Sequence, residues 1–165
     1  MLKTIPVFII ILFAYCGAMA QVDSILKKSP VKTLTDAQYN ALLKGDDIYN
    51  MPPVTVLNHY PMPDLAIQFK KEADLSPIQV AKITAIAKEL HRKRVEMGGI
   101  IVANEKKLDD LLSKGTDEGS LIFYGNRSGL YYGELRNAVL VACYSTWKLL
   151  APAQIKKLET LQNHN

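Results

Sequence analysis

Forty residues from Leu75 to Lys114 read as one helix, and their length constrains everything else in the chain. Ser76 is a natural N-cap, and Pro77 takes the first helical position, where a missing N–H costs nothing. Apolar residues then recur at Ile83, Ile86, Leu90, Met97, Ile101, Leu108 and Leu111, steps of three, four and seven that draw one stripe close to a heptad seam. At 1.5 Å per residue such a helix spans roughly 55–60 Å. A chain of 165 residues cannot bury that length around one small core, so the helix needs a second long element beside it.

That element follows at once. Gly115 ends the first helix, Thr116 or Asp117 can cap the next, and Asp117 and Glu118 suit its first turn. A second stripe runs through Leu121, Ser128, Tyr132, Leu135, Val139, Ala142, Thr146 and Leu149. Two long helices joined by a short turn make an antiparallel hairpin. Gly119, Gly125, Gly129 and Gly133 give the second helix a thin face suited to close approach. Gly98-Gly99 interrupt the first helix without shifting its register, which predicts a bend or the close approach of another helix. Pro152 opens a terminal helix with Ile155, Leu158 and Leu161 apolar. Upstream, Thr33 to Lys44 predicts a short helix capped by Thr35 or Asp36 and ended by Gly45, and Pro63-Asp64 opens another that runs to about Ala73 with Leu65 and Phe69 buried. The intervening residues 45–63 are rich in proline and asparagine, so an irregular segment pinned by Tyr49, Met51, Val54, Val56, Leu57 and Tyr60 is expected. The fold class is all-α, a long helical hairpin with short flanking helices.

The N-terminus has a different character. Met1-Leu2-Lys3, the apolar run from Ile5 to Tyr15 and the small residues Ala18-Met19-Ala20 have the layout of a secretory signal peptide cleaved before Gln21. The apolar run is short of the roughly 20 residues a membrane span needs, and Phe13-Ala14-Tyr15 lacks the small residue expected beside a lipidated Cys16. The expected organisation is therefore a signal peptide at 1–20, a mobile leader with a short helix and a proline-rich segment at 21–62, and the helical hairpin at 63–165. Loss of Lys3 would lower the formal charge of +4 by one, a mild excess that does not argue for nucleic acid. Cys143 would be the one remaining thiol, read as buried on the hairpin seam.

LSPIQ at 75–79 and LAPAQ at 150–154 repeat one signal: Leu75 and Leu150, a capped helix start, then Gln79 and Gln154. LTDAQ at 34–38 is a third match. These resemble the LTxxQ pattern of the Spy/CpxP family of small exported helical proteins. LNHYPMPD at 57–64 is similar to the LNxYPGP stretch of one branch, and Glu105, Leu108 and Leu135-Arg136 stand where that branch has such residues. The resemblance covers about residues 45–162. It implies a four-helix, cradle-shaped homodimer in the periplasm, acting as an ATP-independent chaperone. The alternative it implies is a metal sensor or resistance protein, or a regulator of an envelope-stress sensor kinase. The metal-associated relatives carry histidines where this chain has Ala66, Val139 and Cys143, so no metal or other cofactor is expected at those positions.

No phosphate loop, paired carboxylates or Cys-His spacing of an enzyme is present, and His59, His91 and His164 lack a metal-ligand spacing. The sharper feature is the basic run His91-Arg92-Lys93-Arg94 on the long helix. Arg94 shares the phase of Leu90, Met97 and Ile101, and its stem can lie on apolar surface while its charge stays wet. Lys88, Arg92, Arg94, Met97 and Ile101 are therefore the expected contact face for unfolded envelope proteins, drawn in by charge and held by apolar patches. Weak contact with an anionic membrane surface fits the same composition.

Overall fold

A computed structural model describes residues 26–163; the signal-peptide reading, Cys16 and His164 lie outside the described residues. The hairpin is its spine. Among the described residues the fold is all-α, with helices α1 (Asp36–Lys44), α2 (Pro53–Val56), α3 (Pro63–Gln68), α4 (Pro77–Lys114), α5 (Glu118–Trp147) and α6 (Pro152–Asn163). None of them is long and apolar enough to cross a membrane.

Capping chemistry sets the helix starts. Thr35 and Ser76 each close a reciprocal capping box, with Gln38 and Gln79 reaching back to the cap N–H, and the Asp117 side chain accepts from Ser120 N. α4 and α5 form the expected antiparallel pair. Asn104, buried between them, donates to the Tyr124 carbonyl at 3.1 Å and to Ser128 Oγ at 2.8 Å. A buried amide satisfied only in one alignment fixes the register of the arms, which apolar stripes alone would leave free to slip.

One face of the hairpin is covered. The C-terminus of α1 crosses α4 where both backbones are bare: Gly45 lies against Arg94 and Val95, and Gly98 faces the Leu42 carbonyl so closely that a Cβ there would stand 2.0 Å from its oxygen. The glycine pair therefore marks a close approach, and α4 continues through it as one helix. Val31, Leu42 and Met51 join Leu90, Ile101, Val102, Leu135, Val139, Ala142 and Cys143 in the main core. A second cluster at the base joins Ala66, Ala73, Ile83, Leu150 and Leu158.

Several expectations are corrected. The described part of the leader is docked: Val31 is fully buried, Lys27 exchanges hydrogen bonds with Asn40, and Lys32 reaches Asp109 at 3.6 Å. The proline-rich segment contains a helical turn, α2, and is held by Met51, Tyr49 and the buried Thr55, while Val54 and Leu57 point to solvent. α3 stops at Gln68 with Pro63 and Ala66 buried, and Leu65 and Phe69 only half-buried. The chain then reverses through Asp74 at φ +52°, a left-handed conformation Asp tolerates better than most residues. A Cβ at Gly125, Gly129 or Gly133 would meet none of the described residues within 4 Å, so among those residues nothing approaches their thin face.

Candidate binding groove

The face of the hairpin opposite α1 carries a groove of about 560 Å³. Its α4 wall is Ala85, Ile86, Glu89, Leu90, Lys93 and Met97, and its α5 wall is Glu134, Asn137, Ala138, Val141, Ala142 and Ser145. The floor is apolar because Leu90 and Ala142 belong to the core, with Ile86, Met97 and Ala138 packed on it. The groove exists because α5 offers Ala138, Ala142 and Ser145 at helical spacing, side chains too short to fill the space beside Ile86 and Met97. Val141 on its lip is 62% exposed. The volume lies in the range of natural ligand pockets. Pliable Met97 and a mostly aliphatic lining suit varied apolar side chains better than one fixed shape.

The charges at the rim largely answer one another. Arg92 grips Glu89 with Nε at 2.8 Å and Nη2 at 2.7 Å, and its Nη1 reaches Glu96 at 3.0 Å. Lys93 also meets Glu96, at 3.3 Å. The hydrogen bond from Arg92 holds the Glu89 carboxyl below its ordinary range, so it stays ionised beside the groove. This four-residue network carries no net charge, and exposed pairs of this kind contribute little to stability.

Of the five residues expected to form the contact face, Met97 alone lines the groove. Ile101 is 1% exposed and belongs to the core, because its phase on α4 turns it inward under α1 and α5. Arg92 is taken up by its own helix. Arg94 is half-buried, with its Cβ against Gly45 on the covered face, and Lys88 is exposed but forms neither groove wall. The basic run and the apolar groove are thus distinct surfaces. The apolar stripe of α5 includes Ala142 but neither Ala138 nor Ser145, so the α5 wall does not stand out in the sequence. Their smallness opposite Ile86 and Met97 was the available signal.

The motif residues meet each other instead of facing a partner. Gln79 Oε1 accepts from Ser76 N at 2.9 Å, and its Nε2 donates to the Leu149 carbonyl at 2.7 Å and to Gln154 Oε1 at 2.8 Å. Gln154 mirrors this: Oε1 accepts from Ala151 N at 2.9 Å, and Nε2 donates to the Asp74 carbonyl at 3.0 Å and to Gln79 Oε1 at 3.2 Å. Each glutamine caps its own helix and bonds the carbonyl just before the other motif's leucine. Leu150 is buried, and Leu75 packs on the same basal cluster. The two copies therefore tie the starts of α4 and α6 together, which explains a glutamine at that spacing. Gln79→Ala and Gln154→Ala should each lower stability by about 1–2 kcal/mol. Their effects should be non-additive by about 1 kcal/mol in a urea double-mutant cycle, whereas simple additivity would show that the pair is not one unit.

Cys143 is fully buried, with Thr55 Oγ1 at 3.3 Å and Met62 Sδ at 3.2 Å. Burial pushes its thiol pKa up, which disfavours the reactive thiolate. Tyr49 and Tyr132 meet edge-on at 4.8 Å with their hydroxyls 3.0 Å apart, and burial followed by that hydrogen bond raises the Tyr49 pKa. Among the described residues no three His, Cys, Asp or Glu side chains are grouped to hold a metal ion.

Comparison of the chain with known families, with curated proteins and with solved structures finds no match in any of the three.

Proposed function

We propose that this is an exported, non-enzymatic protein that holds partially folded envelope proteins without ATP. The observation that carries this reading is the groove between α4 and α5: an apolar channel that no segment of the described chain covers, on a hairpin whose other face packs against α1 and the proline-rich segment. Soluble proteins rarely leave such apolar surface open without a partner. The signal-peptide layout at 1–20 supports a periplasmic location, and the paired LSPIQ and LAPAQ signals support the Spy/CpxP likeness.

The outer face of α5 supports a homodimer. Ile122 and Leu130 are more than half exposed there, and Gly125, Gly129 and Gly133 have open space above them. A second hairpin could approach closely along that line, extending two short grooves into one longer cradle.

Light scattering from a denatured client protein tests the function. The protein should suppress aggregation at about one dimer per client, and no suppression at that ratio would sink the reading. Val141→Glu should weaken client retention by at least about tenfold, because an unpaired carboxylate must lose its water when a chain lies over it. As Val141 is largely exposed, the folded state should tolerate the change.

A further inference from the structure

The base of the hairpin carries an exposed aromatic patch that the groove does not use. The Tyr60 ring lies 5.2 Å from Trp147 and 6.4 Å from Tyr144, and Tyr144 and Trp147 stack at 6.1 Å with planes 20° apart. Tyr144 is 50% exposed and Trp147 38%. Exposed Val54 extends the patch along a shallow groove beside Tyr60 and Tyr144. On the other flank Lys148 and Lys156 line a second shallow groove with Trp147, and Lys148 Nζ stands 5.6 Å from the centre of the Tyr144 ring.

The charge of this patch leans basic, with Lys148 and Lys156 against Glu159 in the second groove. Glu159, the acid of that flank, is engaged by His59 Nδ1 at 2.6 Å, and Asp74 is engaged by Lys157. Among the described residues no carboxylate lies within ion-pair distance of Lys148 or Lys156.

We propose that this patch is a peripheral docking surface for an anionic lipid bilayer. Indole and phenol rings, with an apolar body and a polar edge, favour the headgroup level of a membrane. Lysines beside them can keep their ammonium groups among lipid phosphates while their stems lie on the rings. The contrast with the α4–α5 groove favours lipid over polypeptide here: that groove is an aliphatic channel whose walls carry Glu89 and Glu134 against Lys93, whereas this patch is shallow, aromatic and carries Lys148 and Lys156 against Glu159. Docking through it would hold the protein at the membrane and leave the groove free.

The chain has one tryptophan, so intrinsic fluorescence reads this patch directly. The protein, as cells process it, is titrated with vesicles of phosphatidylcholine alone and of phosphatidylcholine mixed with phosphatidylglycerol. Trp147 emission should shift to the blue with the anionic vesicles only. Lys148→Ala/Lys156→Ala should weaken that binding about thirtyfold, roughly fivefold for each lysine at an anionic surface. Both lysines are exposed, and an unchanged urea midpoint confirms that the variant is folded. Emission unmoved by anionic vesicles, equal response to both compositions, or undiminished binding by the double variant would each overturn the proposal. A blue shift caused by a denatured polypeptide and by neither vesicle would overturn it in favour of a protein partner.

Discussion

Replacing Gly98 with alanine should destabilise the protein by about 3 kcal/mol, although alanine is the best helix former and Gly98 lies mid-helix. The added Cβ would stand 2.0 Å from the Leu42 carbonyl oxygen and 2.7 Å from its carbon. Both are backbone atoms at the end of α1, so no side-chain rotation relieves the clash. α1 would have to lift from α4, drawing with it the fully buried Leu42 and the Gly45 turn against Arg94 and Val95. Gly99 provides the internal control, because a Cβ there meets nothing within 4 Å. Gly99→Ala should therefore stabilise the protein by about 1 kcal/mol through helix propensity alone. Urea midpoints of the two variants should move in opposite directions. Movement in the same direction would mean that α1 does not cross α4 at this point.

The second large effect is expected at Ile101. Its side chain is 1% exposed within the main core, so Ile101→Ala should cost about 2–5 kcal/mol through lost burial and the cavity left behind. Client retention measured per folded molecule should not change, since the residue does not line the groove. This separates Ile101 from Val141, where the reverse pattern is expected: stability kept and retention lost. A variant at Ile101 that kept its urea midpoint but lost retention would return the residue to the binding face.

The contrast between these two residues shows where sequence reasoning ended. The helical phase placed Ile101 correctly with Leu90 and Met97, but phase states only that residues share a stripe. It does not say which edge of the stripe meets the neighbouring helix and which is left open. Ile101 lies under α1 and α5, and Met97, one turn away, reaches the groove. Arg92 is exposed but paired within its own helix. Glu89 and Glu96 stand at i−3 and i+4 from it, a spacing that favours pairing along a helix face. The motif glutamines were legible as a repeated spacing after a helix start, whereas their contact across 75 positions required the base of the hairpin to close.

From sequence alone came the long helix α4 with its Ser76 cap, its antiparallel partner α5, the breaks at Gly45, Gly115 and Pro152, and the all-α class. These follow from local rules: apolar periodicity, cap hydrogen bonds, and the backbone limits of glycine and proline. Tertiary structure alone decided that Gly98 receives α1, that Gly125, Gly129 and Gly133 receive none of the described residues, and that an apolar groove opens on the uncovered face. Those outcomes depend on which side of an amphipathic helix each neighbour occupies and how far its side chains reach. Both are sums over contacts between residues distant in the chain, and no local pattern encodes them.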